Sequence, residues 1–287
     1  MRLGRSFVHF GIKLIKCFMG VFYKLSKKSS DEPILNIQRF NSVIHTIALY
    51  IMGYGDDGSF KNSGETKAMS YVKNQLNKKY SHNNYNLFDV GANIGEYSLE
   101  MAKCFGDNVV IQAFEPIDTT YTKLLENTKG YSIIHAYNVG LSNESAIMPM
   151  FTTEKEGSAL SSIYHNSGEH MNCELHVRKD CEFSSVDEFC NSINIDHIHF
   201  LKIDVEGHEL AVLQGAKNML NERKIDYIQF EFGVAHIEAK TFIFDFWRLL
   251  CDNYQIYRIV SGGLIPLNIY TEQMEIFLYS NYLAELK

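Results

Sequence analysis

A mostly parallel α/β sheet with helices on both faces, preceded by N-terminal helices and closed by an antiparallel strand, is the architecture expected of this 287-residue sequence. Three observations carry it. From residue 87 to residue 252, apolar strand-like runs alternate with helical patterns, and alternation with helical crossovers means a parallel sheet covered on both sides. The first of those runs ends in Asp89-Val-Gly-Ala-Asn-Ile-Gly95, a glycine turn that opens directly into a helix. The last two apolar runs, 255–260 and 274–279, are joined by Gly262, Gly263 and Pro266 rather than by a helix, which predicts a hairpin at the sheet edge.

Residues 1–30 carry seven bases and no acid, while the remaining chain carries 20 bases against 34 acids. Arg2, Arg5, His9, Lys13, Lys16, Gly20, Lys24 and Lys27 follow at steps of three or four, which confines them to one helical stripe on an otherwise apolar cylinder. No uncharged run approaches the roughly 18 residues that span a bilayer, and no small-residue cleavage site follows. A basic amphipathic helix lying on a membrane surface, with lysines on anionic headgroups, is the expectation for 1–30. Residues 31–80 form an N-terminal helical cap: Ile44–Ile51 is an apolar run, residues 53–58 a glycine-rich loop, and Thr66–Lys79 an amphipathic helix.

The main domain occupies 81–287. Strands are expected at 87–90, 109–115, 132–139, 198–204 and 225–231, and helices at 95–105, 118–129, 185–193, 208–220 and 241–252. The polar stretch Met148–Cys181, with His165, His170 and His176, breaks the alternation. An insertion of that length in a compact domain is commonly functional, and it is expected to be a substrate-facing flap.

The turn determines the ligand class. Glycines there let the backbone approach a ligand, and the helix beyond points free N–H groups and a positive dipole end at it. A dinucleotide fingerprint would be G-x-G-x-x-G; here Asn93 stands at the middle glycine, which weakens pyrophosphate binding and an NAD-dependent oxidoreductase. Val109–Phe114 leads into Glu115, an acid about twenty residues after the turn and placed to accept ribose hydroxyls. Ligands in open parallel sheets bind beyond the carboxyl ends of the strands, and Asp89, Glu115, Asn138, Asp204 and Glu231 all fall there. The densest ionisable block is Lys202-Ile-Asp-Val-Glu-Gly-His-Glu209. Asp204 and Glu206 are its candidates for proton transfer, with His208, Glu231 and His236 as alternates.

Five blocks in order resemble the FkbM family of S-adenosylmethionine-dependent methyltransferases: Asp89–Gly95, Phe114-Glu-Pro116, Gly140-Leu-Ser142, Ser185-Val-Asp-Glu-Phe189, and Leu201–Leu210 continuing to Leu213-Gln-Gly-Ala216. They cover roughly residues 86 to 233. The resemblance implies a class I methyltransferase (Rossmann-like) fold and S-adenosylmethionine as cofactor, with Asp89, Gly91, Asn93, Gly95, Glu115 and Asn138 binding it. Asp89 would pair with the ammonium of the methionine half. It further implies O-methylation of a hydroxyl on a sugar, glycan or lipid-linked saccharide, with Asp204, Glu206, His208 and Glu231 as the catalytic set. A divalent cation on Asp204, Glu206 and Glu231 is the disfavoured alternative, and a non-catalytic membrane-associated module is the rival that keeps the fold.

The acidic body excludes nucleic acid as a partner, since phosphates demand clustered Lys and Arg. No Asp/Asn-Pro-Pro-aromatic sequence follows the fourth strand, which argues against methylation of a base amine. The six cysteines form no CxxC pair or metal spacing and read as reduced thiols of a cytoplasmic protein, peripheral on the membrane through 1–30.

Overall fold

The computed structural model describes residues 33–55, 63–81, 84–152, 161–164 and 177–287. The basic segment 1–30 and the histidines 165, 170 and 176 lie outside the described residues. The chain divides into two compact units, 1–52 and 53–287. In the first, helix α1 (Pro33–Ile51) presents Val43, Ile44, Ile47, Tyr50 and Ile51 as exposed side chains. No helix among the described residues is long and apolar enough to cross a membrane.

The second unit begins with α2 (Glu65–Lys79), whose buried Ala68, Met69, Val72 and Leu76 recur at helical spacing on one face. The alternation then unfolds as β1 (Tyr85–Val90), α3 (Glu96–Phe105), β2 (Val109–Phe114), α4 (Asp118–Thr128) and β3 (Ile134–Tyr137). After the insertion come α5 (Val186–Ser192), β8 (Ile198–Ile203), α6 (Glu209–Gln214), α7 (Lys217–Asn221), β9 (Ile225–Phe232), α8 (Ala235–Ala239) and α9 (Ile243–Leu250). The chain closes with β10 (Tyr254–Val260), β11 (Gly263–Leu267) and β12 (Ser280–Leu286).

These strands make one eight-stranded sheet in the order β11-β10-β12-β9-β8-β1-β2-β3. Strands β1, β2, β3, β8 and β9 pair in parallel, and β12 runs antiparallel between β9 and β10. A reversed last strand set inside the parallel array is the class I methyltransferase arrangement. All six residues of β8 are buried, as a strand covered on both faces requires. Phe88, Phe114, Leu201 and Phe230 fill one face, and Leu87, Ile111, Phe200 and Leu283 the other. Full burial of each such side chain contributes about 1.5–3 kcal/mol.

Two expectations are corrected at the C-terminus. The reversed strand is 280–286, not 274–279, and it lies inside the sheet rather than at its edge. The hairpin partner of β10 is β11, an edge strand that tolerates Pro266. The run 274–279 is apolar because it packs as a loop. Its Glu275 carboxylate accepts the Ile243 and Phe244 N–H groups, which begin α9 and have no partner within the helix.

The helix expected over 208–220 breaks into α6 and α7. A Cβ at Gly215 would lie 2.0 Å from the Ser142 carbonyl oxygen, so the chain there presses on strand β4 (Gly140–Ser142). That strand leaves the main sheet and opens a second one, ordered β4-β7-β5-β6, with β5 (Ala146–Thr152), β6 (Ser161–Ser162) and β7 (Val177–Ser185). The ends of the insertion are therefore paired strands. In β7, Cys181, Phe183 and Ser185 are buried in alternation with Glu182 and Ser184, a period-two pattern that its polar face obscures.

Candidate active site

The site is built on two rows of residues crossing the central strands. Register pairs Asp89 with Lys202, and Lys202 with Gln229, so β1, β8 and β9 place these three on one face of the sheet. All three are buried. Two residues further on, at the carboxyl ends of the same strands, stand Gly91, Asp204 and Glu231, and these line a cavity of about 400 Å³. The lower row supports the upper one.

The turn after β1 fits against its neighbours through backbone contacts. Gly91 N–H and Ala92 N–H both donate to the Phe114 carbonyl, at 3.1 and 2.9 Å. Gly91, Asn93 and Gly95 all have positive φ. At Gly91 (φ 78°) a Cβ would sit 1.8 Å from the Asp204 carbonyl oxygen, so β1 and β8 approach as closely as they do only with glycine in place. Asp204 N–H donates to the Val90 carbonyl at 3.0 Å, joining turn and acidic loop.

Asp89 does not line the cavity. Its Oδ2 accepts from Ser98 Oγ at 2.6 Å, and its Oδ1 faces Lys202 Nζ at 3.2 Å. Fully buried and paired, the carboxylate serves Lys202 instead of presenting itself to a ligand ammonium. Lys202 Nζ also lies 3.5 Å from Asp204 Oδ2 and 4.9 Å from the centroid of the Tyr97 ring. Burial works against its charge, but Asp89 and Asp204 outweigh burial and hold the ammonium above its ordinary pKa.

Glu115, buried at the end of β2, lines the cavity, and its Oε1 accepts from Ile117 N–H at 2.9 Å. Burial pushes its carboxyl up to about 7. Asn138 is exposed. Its Nδ2 donates to the carbonyls of Glu115 and Pro116 at 3.1 and 3.0 Å, so it clamps the backbone that carries Glu115.

The loop after β8 is tightly constrained. Glu206 has φ 55° and Gly207 φ 100°. The fully buried Glu209 accepts from the N–H groups of Val205 and Gly207 through Oε1, while Oε2 faces His236 Nε2 at 3.0 Å. His236 Nδ1 accepts from Gly233 N–H, which puts the ring proton on Nε2, toward Glu209. His236 and Glu209 therefore act as the frame of the loop. His208 is also fully engaged: Nε2 lies 2.8 Å from Ser142 Oγ, and Nδ1 3.3 Å from Tyr164 Oη. Burial lowers its pKa. Ser162, from the insertion, donates to the Glu206 carbonyl at 2.8 Å.

Asp204, Glu206 and Glu231 line the cavity, as does the Lys202 ammonium. Burial, and after it the Asp204 charge, pushes both Glu206 and Glu231 above the usual carboxylate range. Among the described residues, the one group of three metal-ligating side chains with atoms within 4.8 Å of one another lies elsewhere: His197, His199 and Asp226. His199 Nδ1 accepts from Asn86 N–H, which leaves the proton on Nε2, and Asp226 already binds Lys79, Tyr80 and His197. That chemistry is of a satisfied polar cluster and not of a ligand set.

The sequence matches the Methyltransferase FkbM domain over residues 89–258. The chain belongs to the FkbM methyltransferase family. The sequence is similar to Methyltransferase 1 of Beauveria bassiana and to the hexuronic acid methyltransferase AglP of Haloferax volcanii. The first is 25% identical over 143 residues, covering 45% of this chain and 57% of that protein. The second is 29% identical over 149 residues, covering 52% and 56%. The matched regions thus span a little over half the length of these curated relatives. Among solved structures, the O-methyltransferase from Bacillus cereus in complex with SAH aligns at a TM-score of 0.41, with 10% identity over 94% of this chain and all of that one. The METTL16 MTase domain aligns at 0.44, with 10% identity over 78% and 68%.

Sequence reasoning gave the turn, Glu115 and the acidic loop, and the structure brings them to one cavity. It missed Lys202, Tyr97 and Gln229 as a connected group. A lysine inside the apolar strand Ile198–Ile203 was the available signal, because a buried ammonium demands partners.

Proposed function

We propose that the protein transfers a methyl group from S-adenosylmethionine to a hydroxyl of a sugar, glycan or lipid-linked saccharide. The observation that carries this reading is the convergence of the Gly91–Gly95 turn, Glu115 and the Asp204/Glu231 pair on one cavity. The donor set fits the cofactor: a buried carboxylate at the second strand end accepts ribose hydroxyls, and the left-handed turn exposes backbone to the methionine half. Bound S-adenosylmethionine supplies a methyl carbon activated by its sulfonium.

The chain's own residues do the rest. Asp204, held beside Lys202 and partly exposed, is placed to take up the proton of the acceptor hydroxyl. Glu206 and Glu231, whose burial favours the protonated form, donate hydrogen bonds that orient the acceptor. Lys202 keeps Asp204 aimed. Asp89 and Ser98 keep Lys202 in place. The hexuronic acid methyltransferase among the relatives supports a saccharide acceptor.

A second proposal concerns residues 1–30, whose cationic stripe supports docking on anionic headgroups. Deleting them should abolish sedimentation with vesicles rich in phosphatidylserine; unchanged sedimentation would remove the anchor. For the activity itself, transfer of radiolabelled methyl groups into cell extracts, with and without the lipid fraction, identifies the acceptor. Loss of labelling in Asp204→Asn supports the assignment, and full labelling by that variant contradicts it.

A further inference from the structure

We propose that Glu65, outside the family-matched segment and off the cavity wall, is a positioning residue that sets Lys202 and thereby Asp204; the inference rests on the methyltransferase reading above. Glu65 is the first residue of α2, yet its carboxylate is buried under the sheet. Its Oε2 accepts from Ser63 Oγ at 2.9 Å, and its Oε1 accepts from Gln229 Nε2 at 2.8 Å. Gln229 Oε1 in turn accepts from Tyr97 Oη at 2.8 Å, and the Tyr97 ring faces the Lys202 ammonium. A string of polar contacts therefore runs from the start of α2 to the fork that Lys202 makes between Asp89 and Asp204.

The direction of that string is fixed by chemistry. Glu65 accepts from Ser63 and from Gln229, so the Gln229 amide turns its N–H₂ toward α2 and its oxygen toward Tyr97. Tyr97 must then donate, which fixes its hydroxyl and holds the ring as one wall of the ammonium's cage. Burial raises the Glu65 pKa against the Ser63 and Gln229 hydrogen bonds, so this carboxylate is costly to keep where it is. A helix start on the surface would satisfy the dipole at no such cost. The buried position is explained when the charge acts on the site: Glu65 adds to the attraction that holds Lys202 protonated, after Asp89 and Asp204.

Two measurements test it on the full chain. The first needs neither cofactor nor acceptor. The ¹⁵N resonance of the Lys202 ammonium, assigned through its loss in Lys202→Met, is compared in Glu65→Gln, Gln229→Leu and Tyr97→Phe. All three should move that resonance while leaving far-ultraviolet circular dichroism unchanged. Should Glu65→Gln fail to fold, Tyr97→Phe, which keeps the ring and removes only the donor, carries the test. The second measurement uses the p-nitrophenyl glycoside that the wild type methylates fastest. Glu65→Gln should lower kcat at least tenfold with the Kd for S-adenosylmethionine within threefold.

An unmoved resonance overturns the inference, as does a moved one with kcat intact, since Glu65 would then serve the fold alone. Wild-type protein that binds no S-adenosylmethionine sinks the methyltransferase reading and the inference with it. That failure is recognisable because it appears in the wild type and not in the variant.

Discussion

Gly91→Ala separates the turn from the acidic loop. A Cβ at this position would stand 1.8 Å from the Asp204 carbonyl oxygen and 2.9 Å from its carbon, against an ordinary contact of more than 3 Å. Both partners are backbone, so relief requires β1 and β8 to part, which strains the bond from Asp204 N–H to the Val90 carbonyl. Two terms add: about 1–2 kcal/mol for a Cβ in the left-handed region, and about 1–3 kcal/mol for overpacking. Gly130 provides the control, because its φ of 100° is also positive but nothing lies within 4 Å of its Cβ direction. Gly130→Ala should cost only the first term. Urea unfolding should place Gly91→Ala about 2–5 kcal/mol below wild type and Gly130→Ala about 1–2 kcal/mol below it. Calorimetric titration should show S-adenosylmethionine affinity reduced about tenfold or more in the former alone, since about 1.4 kcal/mol is a factor of ten. Equal stability of the two variants, or wild-type cofactor affinity in Gly91→Ala, would refute the reasoning.

Lys202→Met leaves the Asp89 carboxylate buried with Ser98 alone, and breaking a buried ion pair costs about 3–5 kcal/mol; denaturant unfolding showing less than about 1 kcal/mol would contradict the pairing. Burial raises the Glu115 carboxyl to about 7, so its contribution to stability is complete below its ordinary 4.5 and is lost as pH rises to about 7. At about 1.4 kcal/mol per unit that loss is about 3 kcal/mol, and Glu115→Gln should flatten the decline in thermal stability across that window. Ser162→Ala removes the donor to the Glu206 carbonyl, at about 1 kcal/mol; hydrogen exchange at Val205–His208 should quicken about fivefold, and unchanged exchange would detach the insertion from the loop.

Much of this was legible in the chain because local chemistry agreed with the fold. The Asp89–Gly95 turn has to be glycine-rich to follow a strand and begin a helix, and the acids at strand ends have to meet on one rim once the sheet is parallel. What was illegible depended on distant partners. Gly215 broke a helix because the Ser142 carbonyl stands against it, and no local propensity records that contact. The reversed strand was misplaced by several residues because Met274–Tyr279 is as apolar as Ser280–Leu286. Only pairing with both β9 and β10 distinguishes them. His208 lines the cavity with the Ser142 and Tyr164 hydroxyls against its ring nitrogens, whereas Glu209 and Gly233 occupy those of His236, partners that, Gly233 apart, lie far from these histidines in the sequence. Asp89 looked like a ligand residue because it borders the turn, and Lys202 on a neighbouring strand claims it.

Calorimetric titration of the full chain with S-adenosylmethionine, repeated with NAD and with Glu115→Gln, tests the central claim most directly. One-to-one binding of S-adenosylmethionine that weakens at least tenfold in Glu115→Gln, with no heat from NAD, is the predicted result. Binding of NAD in its place, or S-adenosylmethionine affinity indifferent to Glu115, would contradict the assignment of this cavity.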